Sequence, residues 1–167
     1  AMAAGLSARN NPAMAACLSQ DEVWYEASIY TKHPSTGLAI KCKPDVYLPN
    51  TGTLIDLKTT ASAEPYNFTR SCHKFAYHLQ AAFYRMVCRE AGLRVNSFFN
   101  FIAVEKVPPY AAQHFVMEDD LLSFAGQRVE QLLLEIAHSR EAGECSTGWP
   151  TVFKLNSIIW KDIYNGL

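Results

Sequence analysis

Two carboxylates and a lysine offer this sequence its most specific chemistry. They lie in Lys41-Cys-Lys-Pro-Asp45 and in Asp56-Leu57-Lys58-Thr-Thr60, on either side of the turn-forming run Pro49-Asn-Thr-Gly52. If residues 49–52 close a tight hairpin, Leu48 faces Thr53 and Asp45 faces Asp56. Directly opposed residues share a sheet face with Cβ atoms about 4.5–5.5 Å apart. Side chains alternate along a strand, so Lys58 joins Asp56 on that face while Ile55 and Leu57 point to the other. Two like charges so placed are unfavourable unless a cation offsets them, and oxygen ligands of this kind suit Mg²⁺ or Mn²⁺. Lys58 could then orient or deprotonate an attacking water, or stabilise charge building on a phosphoryl oxygen. That is equipment for metal-assisted phosphodiester hydrolysis. Spacing alone leaves a plainer reading open, in which Asp45 caps a surface turn and Asp56 and Lys58 form a weak ion pair.

Positioning these groups requires a scaffold, and the hydrophobic pattern supplies one. Pro12 suits the first turn of a short helix ending near Leu18. Strands are expected over residues 23–30, 38–48 and 53–59, with His33-Pro-Ser-Thr-Gly37 as a surface turn. A single long helix is expected over 66–91, closed by Gly92, from the recurrence of Phe75, Leu79, Ala82, Phe83, Met86 and Val87. Residues 97–104 are apolar on both faces and read as an interior strand. A shorter strand over 112–116 precedes an amphipathic helix over 118–140, with Leu121, Leu122, Ala125, Val129, Leu132, Leu133 and Ile136 on one side. The expected fold is one α/β (α+β) domain over 1–167, a mostly antiparallel sheet of about five strands flanked by helices. Residues 1–20 form its N-terminal helical segment, with the possibility of a missing upstream part left open.

Composition narrows the function. The chain has 167 residues, 15 Lys+Arg against 16 Asp+Glu, and a formal net charge of −1. A polyanion must therefore be met by a local basic patch or by a metal, not by a globally basic chain. No apolar run approaches a membrane span and no secretory signal opens the chain. Ala1-Met2 is set aside from fold reasoning. The five cysteines, Cys17, Cys42, Cys72, Cys88 and Cys145, contain no C-x-x-C and read as reduced, mostly buried thiols in a cytoplasmic protein.

Further motifs follow the hairpin. Pro44-Asp45 with Asp56-x-Lys58, leading into a helix that carries Gln80-Ala-Ala-Phe-Tyr84, resembles the PD-(D/E)xK nuclease superfamily and the Q-x-x-x-Y motif of its RecB-like branch. Gln80 and Tyr84 are spaced i, i+4 and share a helical face. The wording around these motifs, over residues 26–84 with a weaker echo at Trp149-Pro150, is similar to C-terminal nuclease domains of the RecE (exodeoxyribonuclease VIII) type. The resemblance implies a bacterial or phage-encoded Mg²⁺- or Mn²⁺-dependent exonuclease acting 5′→3′ on linear double-stranded DNA in phage-type recombination. It also implies a ring-shaped homo-oligomer (trimer or tetramer) working at DNA ends, with a single-strand annealing protein as partner. It assigns Asp45, Asp56 and the Leu57 carbonyl to the metal, Lys58 to the attacking water, and Gln80 and Tyr84 to the DNA-facing side of the catalytic site. Glu26 is a candidate further metal ligand or, equally, an ordinary exposed strand residue. The sequence departs from the RecB-like pattern upstream, where no acid precedes Asp21 and no histidine precedes His33.

Charge is unevenly spread around this stretch. Between residues 66 and 94 the bases Arg70, Lys74, Arg85, Arg89 and Arg94 face one acid, Glu90, whereas 118–144 is strongly acidic. Arg70 and Lys74, one turn apart, with His73 and His78 nearby, are expected at phosphates, as are Lys41 and Lys43, which share strand parity with Asp45, and Thr59. The aromatics Trp149, Phe153, Trp160 and Tyr164 suit core packing or a subunit interface. Two other functions remain in view: a structure-specific or restriction-type endonuclease of the same superfamily, and a non-catalytic DNA-binding or assembly module. The scattered cysteines argue against an iron–sulfur relative.

Overall fold

The computed structural model describes residues 2–143. The chain divides into a compact unit, Ala1–Ala137, and a second, His138–Leu167. Cys145, Trp149, Phe153, Trp160, Tyr164 and the Trp149-Pro150 echo lie outside the described residues.

Two helices open the chain, α1 (Met2–Asn10) and α2 (Pro12–Leu18), the second starting at the expected proline. Five strands follow: β1 (Trp24–Tyr25), β2 (Ile29–Lys32), β3 (Ala39–Cys42), β4 (Val46–Leu48) and β5 (Thr53–Thr60). Then come α3 (Pro65–Lys74), α4 (Tyr77–Glu90), β6 (Phe99–Glu105), β7 (Ala112–Met117) and α5 (Asp119–Ala142). The main sheet has the order β1-β4-β5-β6-β7, and β2 and β3 form a separate hairpin. All pairings are antiparallel except β5 with β6, which run parallel across the α3–α4 crossover.

The site hairpin has the expected register: Leu48 pairs with Thr53, Tyr47 with Leu54 and Val46 with Ile55. Gly52 makes the turn at φ +71°, and a Cβ built there would lie 2.9 Å from the backbone of Arg94 and Val95. Neither the left-handed backbone nor the close approach tolerates a side chain. Gly52→Ala should therefore cost about 2 kcal/mol or more, read as a lower urea midpoint at unchanged m-value.

Alternation along β5 and β6 divides the core. Leu54, Phe99, Phe101 and Ala103 pack with Phe68, Ala81 and Leu122 on the α3–α4–α5 face. Ile55, Ile102 and Val104 pack with Val46, Leu48, Ala8 and Met14 on the α1–α2 face. The first six residues of β6 are buried, which fits its interior place. On the α1–α2 side, His114 Nε2 lies 2.9 Å from Asn100 Oδ1, while Asn100 Nδ2 donates to the Leu54 carbonyl. Burial holds the His114 pKa below its ordinary value. The unfolded chain therefore takes up this proton first, so His114 lowers stability as pH falls from about 6.5 towards its folded pKa and has no such effect above that window. His114→Gln, which keeps a donor for Asn100, should flatten this part of the acid dependence in urea titrations.

Several expectations change. The expected strand over 23–30 is two short strands, β1 in the main sheet and β2 in the separate hairpin, parted where Glu26 takes φ +46°. The expected strand over 38–48 is two strands in different sheets, because Pro44 is buried where pairing stops and cannot donate to a ladder. Lys41 and Lys43 consequently do not share strand parity with Asp45: Ile40 and Cys42 face the same core as Tyr47, so even and odd positions exchange faces across the break. The expected helix over 66–91 is broken at Ala76, which has φ +53°. Its first half starts under a Glu64 cap that accepts from the Tyr66 and Asn67 amides, and its second ends just before Gly92 at φ +77°. His33 is not at the surface but 1% exposed, held between Thr36 Oγ1 and Glu130 of α5. On α5, Leu122, Ala125, Val129 and Leu133 are buried, while Leu121 and Ile136 are exposed. Cys42 and Cys88 are buried free thiols with their sulfurs 3.8 Å apart, and Cys17 and Cys72 are partly buried.

Candidate active site

Asp56 and Lys58 project from the middle of β5, the central strand, towards α4. Lys58 Nζ lies 2.6 Å from Asp56 Oδ2 and donates to Gln80 Oε1 at 2.8 Å, while Gln80 Nε2 donates to Asp56 Oδ1 at 2.8 Å. The amide of Gln80 thus bridges the two members of an ion pair. Asp56 is 4% exposed, and its pKa is raised, first by burial and also by Asp45, against the lowering influence of Lys58 and Gln80. Buried Oδ2 has the lysine close by but no aligned hydrogen bond. A carboxylate so placed is a poor stability element and a good ligand.

Asp45 stands just before β4, where its side chain caps the end of the ladder: Oδ2 accepts from the Leu57 amide at 2.6 Å. Its carbonyl accepts from the Glu26 amide at 3.0 Å. The Glu26 carboxylate takes the Lys43 ammonium, both side chains being largely exposed, and this pairing holds the Glu26 pKa down. Glu26, Asp45 and Leu57 line one cavity of about 790 Å³ with Arg9, Met14 and Leu18. Helices α1 and α2 therefore approach the hairpin but bring no acid or histidine to it. Among the described residues no three His, Cys, Asp or Glu side chains cluster as a complete ligand set.

The donors present still fit a small divalent cation. Mg²⁺ is commonly held by one or two carboxylates, with water and substrate phosphate completing its shell. Asp45, Asp56 and the Leu57 carbonyl would supply donors of this kind, and Oδ2 of Asp56, buried beside Lys58 with no aligned hydrogen bond, is the atom such an ion would satisfy.

Tyr84, one turn after Gln80, packs its ring edge-on against Phe99 at 6.4 Å, and its phenol pKa is raised by burial, with Gln80 opposing. Tyr77, three residues before Gln80, was not singled out by the motif. Its ring lies 4.4 Å beneath Lys58 Nζ and is backed by Phe101 at 5.9 Å, a cation–π support for the ammonium. Its i−3 spacing from Gln80 was the available signal.

The expected DNA contacts separate into two places. Thr59, Arg70, His73 and Lys74 line a common cavity beside Tyr77, whereas Lys41 lies exposed on β3 and Lys43 on Glu26. Arg85 does not belong to a DNA-facing patch: it is 7% exposed and bonds Asp119 and the Asn96 carbonyl. Arg94 donates to the Asn50 carbonyl at the hairpin turn. No helix among the described residues is long and apolar enough to cross a membrane.

Comparison with known proteins bears on the fold. The fold is shared with a candidate exonuclease from Eubacterium rectale, at 18% identity and a TM-score of 0.65, over 98% of this chain and 63% of that one. The chain thus spans about 63% of the length of that relative. A phage-related exonuclease from Haemophilus somnus (11% identity, TM-score 0.46, 81% of this chain and 72% of that one) is more distant. So is an alkaline exonuclease from Laribacter hongkongensis (18%, 0.40, 78% and 68%). No curated protein matches the chain. A family model described as a PDDEXK-like domain of unknown function matches residues 13–147. With the Asp45, Asp56 and Lys58 hairpin inside that span, the chain belongs to the PDDEXK-like family DUF3799.

Proposed function

We propose that the chain is the nuclease domain of a Mg²⁺- or Mn²⁺-dependent DNA exonuclease that hydrolyses phosphodiesters from the ends of linear DNA. The observation that carries this reading is the buried Asp56 carboxylate, closed into a ring of contacts with Lys58 and Gln80 beside Asp45. Asp45, Asp56 and the Leu57 carbonyl would hold the cation, which supplies Lewis-acid neutralisation of charge on a phosphoryl oxygen. Lys58 is held in place by Gln80 and by the Tyr77 ring. Its ammonium is thereby directed to the attacking water or to a phosphoryl oxygen, where charge grows as the phosphorus–oxygen bond breaks. Burial by Tyr77, Phe101 and Gln80 limits competing water around the ion pair and strengthens these interactions. A 5′→3′ direction, duplex ends as substrate and a role in phage-type recombination beside an annealing protein are supported by the similarity of residues 26–84 to RecE-type domains. A ring of subunits around the DNA would suit a chain of near-neutral charge.

Digestion of linear duplex DNA in Mg²⁺ or Mn²⁺, stopped by EDTA and sparing covalently closed circles, is the expected result. Cutting of closed circles would replace the exonuclease with an endonuclease. Survival of both substrates in either metal would remove the nuclease assignment and leave a DNA-binding module.

A further inference from the structure

Beyond Tyr77, on the side of Lys58 away from the Asp45 hairpin turn, the C-terminal end of β5 and helix α3 enclose a cavity of about 880 Å³. Its lining contains Arg70, Lys74 and Lys106 and no aspartate or glutamate. None of these three forms an ion pair among the described residues, and Lys74 instead stands 5.6 Å over the Phe75 ring. The same lining holds two aromatic side chains that face solvent, Tyr66 at 69% and Phe75 at 58% exposure. Single exposed rings are unremarkable on a protein surface. Two of them in one acid-free basic cavity are a combination suited to one class of ligand.

The cavity is physically joined to the ion pair. Phe75 stacks on Tyr77 with centroids 5.7 Å apart, and the other side of this contact leads to Lys58, 4.4 Å from the Tyr77 ring. The break at Ala76, at φ +53°, produces this arrangement: it ends α3 with Phe75 outward and restarts α4 with Tyr77 inward. A left-handed alanine is unfavourable by itself, and a continuous helix would have placed Phe75 and Tyr77 about 200° apart around its axis, unable to stack.

We propose that this cavity is a subsite for an unpaired DNA strand, taking the nucleotides that flank the scissile phosphate. Arg70, Lys74 and Lys106 meet successive phosphates, and Tyr66 and Phe75 stack on bases. Cations alone would serve a duplex, whose base faces are covered by their neighbours. Exposed rings serve a strand whose bases are open, and stacking of this kind tolerates any sequence. The volume lies within the range of ligand clefts. The preferred substrate is therefore an end with a single-stranded overhang, or one that has locally opened. The position of the scissile phosphate rests on the nuclease reading above, while the strand preference rests on the cavity.

The test is fluorescence anisotropy in EDTA with labelled oligo-dT of twelve nucleotides and, separately, a blunt twelve-base-pair duplex, alongside cleavage of linear DNA by the wild-type chain in Mg²⁺ or Mn²⁺. The wild-type chain is expected to bind the single strand more tightly. Tyr66→Ala with Phe75→Ala should weaken single-strand binding at least about tenfold and duplex binding less than twofold. Phe75→Tyr should retain wild-type affinity, and Arg70→Gln with Lys74→Gln should weaken both ligands. Tyr66 is exposed and Phe75 contributes only its stack on Tyr77, so the double alanine variant should show no more than a modestly lower urea midpoint and stay folded. Single-strand affinity within twofold of wild type in the double aromatic variant, or an equal loss on the duplex, overturns the subsite even if the wild-type chain cuts DNA. Loss confined to the single strand, in a chain that cuts nothing in either metal, upholds the subsite and overturns the nuclease reading instead.

Discussion

Asp56→Asn is expected to lower DNA hydrolysis in Mg²⁺ or Mn²⁺ by at least about 10³-fold while leaving the fold intact. Asparagine has the same shape and keeps an oxygen for the Gln80 Nε2 donor. What it removes is the negative charge at a buried position whose Oδ2 has no aligned hydrogen bond. If that charge holds a cation, its loss costs several kcal/mol of transition-state stabilisation, and about 4 kcal/mol is a factor of 10³. The effect on stability should be a loss of roughly 1–3 kcal/mol, because the asparagine NH2 then stands where Oδ2 met the Lys58 ammonium. Burial already penalises the carboxylate and raises its pKa, which offsets much of what the ion pair returns. Lys58 meanwhile retains Gln80 Oε1 and the Tyr77 ring. Initial rates on linear DNA and urea midpoints, measured on the same preparations, separate the two effects. Activity within tenfold of wild type would remove Asp56 from the metal site. A collapse of stability in parallel with activity would make the ion pair a structural element.

Turn chemistry and alternation made the hairpin legible from sequence. Pro49 to Gly52 fixed the pairing, and strand periodicity then placed Asp56 and Lys58 together on one face, as found. The spacing of Gln80 and Tyr84 put both on one side of a helix, and the structure adds that Gln80 alone bridges the ion pair. What remained hidden depended on distant partners or on unsignalled backbone. Ala76 is an ordinary helix former, so nothing local announces its left-handed conformation. His33 is buried because Glu130, far along the chain, reaches it, and Arg85 is buried because Asp119 and Asn96 do the same. Local charge counting included Arg85 in the basic excess over 66–94 for want of those partners. Pro44, like the i−3 spacing of Tyr77 from Gln80, was a missed signal that was local: a proline inside an expected strand argues for a break.

Phe68→Ala is expected to be the most destabilising single change in the core, by about 3–5 kcal/mol, and to damage the site as well. Phe68 is 1% exposed. Its ring stacks on Phe115 at 4.3 Å and meets Phe101 and Tyr77 at 6.3 and 6.2 Å. The cavity left by truncation cannot close easily, because α3 is fixed at both ends, by the Glu64 cap at its start and by the Ala76 break at its finish. Without relaxation the loss includes both the transfer and the cavity contributions. Tyr77 would lose the ring that packs beside it, and with it the fixed surface beneath Lys58. Hydrolysis per folded molecule should therefore fall, beyond the fall in folded fraction. Phe68→Leu refills most of the volume and should cost roughly 1–2 kcal/mol, with hydrolysis per folded molecule largely restored. Urea unfolding gives the first quantity, and rates measured at low temperature, where the alanine variant is still folded, give the second. A cost below about 1 kcal/mol would mean that α3 can collapse onto the sheet. Normal hydrolysis per folded molecule at the full cost would mean that Gln80 positions Lys58 without help from the aromatic layer.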